Sequence, residues 1–328
     1  MATEVIEHPP ATGPGRSERA VPRGSRHAPR FALAVPAWAW LLLFFVAPVA
    51  FIVVYSFGRK PGLFELQPGQ SNSITLDQWP TLDRYQEVLD GPILQTFRNT
   101  YEIALLGTVL CLVIAFPFAY WLAVKVPSRY RGILLALILV PFWTNFLIRT
   151  IAWTILLFPQ GWFSTLLLDI GLTSGPIDIL DTRTAVQIGV VYNYLVLMIL
   201  PLFVALDRID PALRDASKDL GAGRVRTFLQ VTLPLATPGL VSGLLLVFIP
   251  LMGDYITASV LGGAQGTMAG QLVYDQYLVA QNWALGSAMA VFLIGAILAT
   301  VIVFAVALQL IGQVMRTQRR VALPEVPT

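Results

Sequence analysis

One arginine stands inside an apolar run. In 137–155, LILVPFWTNFLIRTIAWTI, Arg149 is the sole charged residue. A charge in a stretch able to cross a bilayer is costly, and it faces a bundle interior or a water-filled cavity. If this run is one helix, Phe142, Asn145, Arg149 and Trp153 fall at i, i+3, i+7 and i+11 and share a face. Trp143 lies one residue off that face. Such a stripe either lines a pathway or gate, or forms a subunit contact with Arg149 snorkelling towards the outer headgroups. Asp254 and Tyr255 end another apolar run. With Trp143 or Tyr194, Asp254 offers charge and cation–π attraction to a diammonium ligand. It suits an interfacial helix cap equally well. Tyr192, Asn193 and Tyr194 are consecutive, so at most one or two of them line a cavity. Arg149 in the path would repel a polycation. It therefore faces a carboxylate such as Asp254, or faces away, or the ligand is not cationic.

Catalytic chemistry is poorly supplied. His8 and His27 both lie in the first 30 residues, which removes histidine-based metal or triad chemistry from the body of the chain. The single cysteine, Cys111, allows no intrachain disulfide. The chain has no G-x-x-x-x-G-K-S/T phosphate loop and no clustered catalytic set. A membrane-embedded enzyme is therefore disfavoured. A stand-alone secondary transporter calls for carboxylate or histidine relays or inverted repeats. Here Glu102 and Asp254 stand only near the ends of apolar runs.

The elements that must position these residues are membrane helices. The 328 residues are 56% hydrophobic and 12% charged, with mean hydropathy +0.69. Soluble domains carry about 25% charged residues, so this surface cannot be water-facing throughout. A span needs roughly 20 apolar residues. Six runs qualify: 35–57, 101–124, 132–156, 186–206, 239–256 and 284–310. Pro48, Pro117, Pro141, Pro201 and Pro250 predict kinks rather than breaks. The expected class is an all-α membrane protein with six transmembrane helices.

Basic residues give the orientation. Arg16, Arg19, Arg23, Arg26 and Arg30 mark the N-terminal tail, and Lys125, Arg129 and Arg131 the second-to-third connection. Arg208, Arg214, Lys218, Arg224 and Arg226 mark the fourth-to-fifth connection, and Arg316, Arg319 and Arg320 the C-terminal tail. Both termini are thus expected in the cytoplasm. The organisation is a disordered cytoplasmic tail at 1–32, a first span at 33–57 and an outer loop at 58–97 with a short helix near 82–89. A five-helix core follows at 98–312 with a cytoplasmic loop at 207–238, then a cytoplasmic tail at 313–328. A cleaved signal peptide is disfavoured, because the first apolar run is too long and lacks a clear cleavage site.

The 207–238 loop is itself structured. An Asp-Pro start predicts a helix over 211–220, ended by Gly221 and Gly223. A second helical piece at 224–233 carries Val225, Phe228 and Leu229 on one face, with Pro234 and Pro238 closing it. An apolar stripe with a basic rim is better explained by a partner than by a solvated loop.

Here the chain resembles the permease subunits of binding-protein-dependent ABC importers. Their loop pattern is Glu-Ala-Ala, three residues, Gly, nine residues, Ile, one residue, Leu-Pro. It is matched without a gap by Asp215, Ala216, Ser217, Gly221, Val231, Leu233 and Pro234. The departures are Asp215 for Glu, Ser217 for Ala and Val231 for Ile. The resemblance implies the type I ABC importer permease fold. It also implies a coupling helix seated on a separate nucleotide-binding subunit, with Phe228 as an apolar anchor. The implied partners are two cytoplasmic ABC ATPase copies, a second homologous permease forming a heterodimer, and an extracytoplasmic substrate-binding protein. All sit at a bacterial inner membrane, without nucleic acid. This chain would then be no enzyme and bind no cofactor or metal; ATP and Mg would bind the partner ATPase.

The resemblance runs over about 99–309 and is nearest to the spermidine/putrescine permeases, of the first-permease type. The segments 137–155, 195–206 with Leu200-Pro201, and 252–263, MGDYITASVLGG, carry it, although Ala258 stands where that subfamily has Pro. It implies polyamine as substrate. Permeases for amino-acid derivatives, iron or aminophosphonates share parts of these segments and remain the alternative.

Overall fold

The computed structural model describes residues 30–58 and 80–321. Most of the N-terminal tail, with His8 and His27, lies outside the described residues, as do 59–79 of the outer loop and 322–328. Among the described residues every regular element is helical. Six helices are long and apolar enough to cross a membrane: Ala34–Ser56, Gly91–Val124, Phe146–Asp169, Arg183–Asp207, Arg224–Met252 and Trp283–Leu310.

The chain divides into two units, 1–49 and 50–328. The first carries helix α1 (Arg30–Leu41), a π turn at Leu42–Val46 and the start of α2 (Ala47–Ser56). Its side chains from Val35 on are exposed, with the Trp40 ring on that of Phe44 at 4.2 Å.

The second unit is built on α4 (Gly91–Val124), α8 (Arg183–Asp207) and α11 (Leu233–Met252). Small residues decide this. On α4 a stripe of Ala104, Thr108, Cys111, Ala115, Ala119 and Leu122 is buried against α8, and the Cys111 thiol reaches the Val191 carbonyl at 3.6 Å. On α11, Gly239 and Gly243 stand one turn apart. A Cβ on Gly239 would fall on the Pro201 carbonyl and Ala205 Cβ, and one on Gly243 would come within 2.8 Å of Met198 Sδ. Apolar burial drives little association in lipid, so close backbone approach supplies the packing. Around this core lie α3 (Asp83–Leu89), α5 (Ser128–Phe142), α6 (Phe146–Leu157), α7 (Trp162–Asp169), α9 (Pro211–Asp219), α10 (Arg224–Thr227), α12 (Ile256–Leu261), α13 (Ala269–Leu278) and α14 (Trp283–Val321).

Four expected boundaries are corrected. The run at 132–156 is not one helix. It breaks at Trp143–Asn145, because the Asn145 side chain accepts from Leu147 N at 2.8 Å and Ile148 N at 3.4 Å and so starts a new helix. Phe142 therefore lies on α5 and does not share a continuous face with Arg149 and Trp153 on α6. Pro234 and Pro238 do not close the loop helix. Pro234 has no N–H for the Gln230 carbonyl, and a π turn at Phe228–Thr232 carries the chain past it into α11. At its far end α11 stops at Met252, short of 256. Finally α14 runs to Val321, past the expected end of the sixth run at 310.

Candidate functional site

The first candidate region is the loop between α8 and α11. Asp210 caps α9, its carboxylate accepting Ala212 N at 2.9 Å, with Pro211 in the first turn. Gly221, at φ +83°, ends it, with Gly221 N donating to Lys218 O at 2.8 Å and Ala222 N to Ser217 O at 3.1 Å. The reversal needs a left-handed residue, which is why glycine stands there. α10 then turns back, and the Ser217 and Thr227 hydroxyls bond at 3.1 Å to brace the two helices.

This brace leaves apolar side chains outward. Leu220 is 89% exposed and Val225 71%, with Leu213 and Leu229 also exposed. Leu220 carries the most exposed apolar surface of the loop, yet sequence reasoning missed it; its place at the very end of the α9 helix was the available signal. Asp215 and Ala216 are exposed too, and Ser217, Val231, Leu233 and Pro234 are half-buried. Phe228 differs from expectation. Its ring packs edge-on against Phe116 at 5.6 Å and Tyr120 at 5.9 Å, so it anchors the loop to α4 of its own chain. Lys218 Nζ donates to Asp215 at 2.8 Å, and this bond, with the nearby charges of Lys218 and Arg214, holds the Asp215 carboxyl below the usual range. A cavity of about 510 Å³ opens at the root of the loop, lined by Pro201, Arg208, Asp210, Leu213, Leu235 and Gly239 among others. An ion pair joins Asp207, the last residue of α8, to Arg131 on α5. At the opposite end of α8, Arg183 pairs with Glu102 at 3.4 Å.

The second candidate region comprises the span residues. Across the break between α5 and α6, the Arg149 guanidinium lies over the Phe142 ring at 5.2 Å and the Phe146 ring at 5.7 Å. Its Nη1 donates to Pro141 O at 3.5 Å, and its Nε is buried without a partner. Among the described residues no carboxylate lies within ion-pair distance of it, so the pairing with Asp254 does not occur. Trp143 is 78% exposed at the break. Trp153 packs its ring against Tyr192 at 5.3 Å.

Asp254 is buried inside the bundle. Its carboxylate accepts Thr257 N at 3.0 Å and Thr257 Oγ1 at 2.5 Å, with the buried Tyr194 nearby. It thus accepts from the first turn of α12 from within the bundle, not at an interface. Asn193 donates to Thr150 Oγ1 at 3.1 Å and Thr257 Oγ1 at 3.4 Å. The direction is fixed, because Thr150 spends its proton on Phe146 O and Thr257 spends its own on Asp254. A polar chain therefore ties α6, α8 and α12 together. Thr150 and Thr257 were not legible as members, since a lone threonine in an apolar helix gives no signal. Tyr255 points away and stacks on Tyr274 at 4.9 Å. The structure thus brings Phe142 to Arg149 and Tyr194 to Asp254, and leaves Trp143 and Tyr255 apart from both. Among the described residues no three metal-ligating side chains converge.

Comparison with known proteins gives the family. A family model described as binding-protein-dependent transport system inner membrane component matches residues 115–317. The spermidine/putrescine transport system permease protein PotB of Haemophilus influenzae is 36% identical over 254 residues, covering 77% of this chain and 85% of that protein. PotB of Escherichia coli K12 is 35% identical, covering 77% of this chain and 88% of that protein. A crystal structure of a bacterial ABC transporter involved in import of the acidic polysaccharide alginate aligns with TM-score 0.63 over 89% of this chain and 96% of that one. At 16% identity this likeness shows the fold alone, that of a type I ABC importer permease. This multi-pass chain belongs to the family of binding-protein-dependent transport system inner membrane components.

Proposed function

We propose that this chain is one membrane subunit of an ATP-driven importer and that it takes up a polyamine of the spermidine/putrescine type. The single observation behind the coupling role is the loop at 211–234. It is braced internally by Ser217 and Thr227 and held to α4 by Phe228, and it still leaves Leu220 and Val225 exposed. A stiff element that presents apolar side chains among charges fits a docking partner. That partner is a cytoplasmic ATPase, which binds the ATP and Mg that this chain does not. Asp215, Ala216 and Ser217 face it, and the half-buried Val231, Leu233 and Pro234 set the loop's exit into α11.

The same reading puts this loop, the 125–131 connection and both termini in the cytoplasm. The Arg131–Asp207 pair supports it by holding two of the basic segments at one end. A second permease and an extracytoplasmic binding protein complete the assembly. The polyamine assignment rests on the relatives, whose printed names carry spermidine and putrescine. On this reading Phe142, Trp143, Asn145, Arg149, Trp153, Tyr194, Asp254 and Tyr255 border the path, with Asp254 and Tyr194 shaping its wall rather than meeting the substrate. A second reading, an importer for an anionic small solute such as an aminophosphonate or amino-acid derivative, is favoured by one observation. Arg149 stands on two aromatic rings without a carboxylate among the described residues.

The test is ATP hydrolysis by the assembled importer with its binding protein loaded in turn with putrescine, spermidine and an anionic ligand. Stimulation by the polyamines is expected. Stimulation by the anion alone would replace the first reading with the second. Retained ATPase binding and uptake in Asp215→Lys and Gly221→Leu variants would sink the docking role of the loop.

A further inference from the structure

We infer that Arg131 is a positioning residue for coupling. Its ion pair with Asp207 fastens α5 to the root of the docking loop, so that movement of the loop is delivered to the break between α5 and α6. The inference rests on the proposal that an ATPase drives this loop.

α5 is the most weakly held of the long helices around the core. None of its residues is buried, and of its apolar side chains Leu134, Leu135 and Ile138 pack against the buried core. A helix with so little apolar hold follows whatever grips it most directionally. Arg131 supplies that grip near the start of α5. Its Nε donates to Val126 O at 2.9 Å, bracing the corner between α4 and α5, while its Nη1 donates to the Asp207 carboxylate. A planar guanidinium bonded along two edges fixes direction as well as distance. Asp207 ends α8, and three residues later Asp210 caps α9. The pair thus bridges the loop's root to α5 with no intervening side chain.

The other end of α5 meets the span arginine. From Arg131 to Phe142, α5 carries a displacement over roughly 16 Å. At that end the Pro141 carbonyl accepts from Thr144 Oγ1 at 2.7 Å and from Arg149 Nη1 at 3.5 Å, and the Phe142 ring lies under the Arg149 guanidinium. Pulling Asp207 therefore shifts α5, and α5 shifts the platform on which Arg149 rests.

The experiment uses the whole importer in nanodiscs. Cys111 is the chain's single cysteine and is buried, so spin labels can be placed selectively at Val140→Cys on α5 and Leu298→Cys on α14, both exposed. Vanadate trapping of the nucleotide is expected to shift the label distance in the otherwise unaltered chain. Arg131→Ala and Asp207→Asn are each expected to lose at least half of that shift and to lower uptake per ATP hydrolysed by about five- to tenfold. The ATPase should still co-purify with both. The exchanged pair, Arg131→Asp with Asp207→Arg, is expected to restore both readouts. The inference is overturned if the unaltered importer shows no shift, or if the single variants keep it. It is also overturned if the exchanged pair assembles yet stays as defective as the singles. If the unaltered importer takes up neither putrescine nor spermidine, the substrate reading falls while the label distances still report on Arg131.

Discussion

On the loop between α8 and α11, Leu213, Leu220, Val225 and Leu229 stand exposed among charged side chains; between α6, α8 and α12, Thr150, Asn193, Asp254 and Thr257 lie buried among apolar ones. Each region inverts the usual distribution, and each inversion has a different resolution. The buried polar groups answer one another within the chain, through the Asn193 amide nitrogen to both threonines and Thr257 to Asp254, with Asn193 Oδ1 alone left without a partner. Leaving any of them unpaired in so dry a setting would cost more than the bond itself contributes. The exposed apolar groups have no such internal answer, because the Ser217–Thr227 brace and the Gly221 reversal hold them outward. The lesson is that a buried polar network stabilises one chain, whereas a braced apolar surface is available to the partner proposed above. Substitutions in the two regions should therefore separate assembly from stability.

The largest effect is expected for Leu220→Asp with Val225→Asp. Affinity for the ATPase, measured by titration of the detergent-solubilised subunits, should fall by about a hundredfold, as for loss of a hot-spot pair. The melting temperature of the chain alone should not move, since both side chains are exposed; a fall there would break the comparison. Asp254→Ala should do the reverse. It strips the acceptor from the first turn of α12 and unpairs Thr257, at a cost of about 2 kcal/mol in a thermal scan, with ATPase affinity unchanged. Phe228→Ala sharpens the boundary between the regions, because Phe228 joins the loop to α4. Losing its two edge-on ring contacts should cost about 1 kcal/mol and weaken ATPase binding by only a few-fold. An effect as large as that of the double aspartate variant would return Phe228 to direct contact.

The smallest effect concerns pH. Lys218 holds the Asp215 carboxyl below its ordinary range, so the carboxylate persists as pH falls through that range and is lost only below it. Binding of the ATPase should therefore vary little from Asp215 between pH 7 and about 5. In Lys218→Met the loss should begin at higher pH, towards the ordinary carboxylate value. An unchanged profile in that variant would remove the Lys218–Asp215 bond from the account.

Much of the loop was legible because its determinants are local. Asp210-Pro211 starts α9, Gly221 ends it, and the spacing from Asp215 to Pro234 follows the chain without interruption. What failed there was the fate of Pro234 and Phe228. Whether a proline ends a helix or is absorbed by a π turn depends on whether the helix beyond it is held, and Gly239 and Gly243 hold it against α8. Phe228 has a suitable ring for either a partner or α4, and periodicity cannot distinguish the two. The third span was misread for a related reason. An asparagine inside an apolar run looks like one polar face position, yet Asn145 turns its side chain onto the backbone of the following turn and divides the helix.

By itself the sequence determined the class, the number of apolar spans, the structured loop and its likeness to a family. Those follow from hydropathy, charge placement and short-range spacing, which need no knowledge of what packs on what. Only the tertiary structure decided that Asp254 accepts from the first turn of α12 inside the bundle, that Arg149 rests on two rings rather than on a carboxylate, and that Arg131 reaches Asp207. Each of these joins residues far apart in the chain or turns a side chain to one of several available sides. Such choices are fixed by the small residues that bring α4, α8 and α11 together, and by the hydrogen bonds that remain possible once they are there.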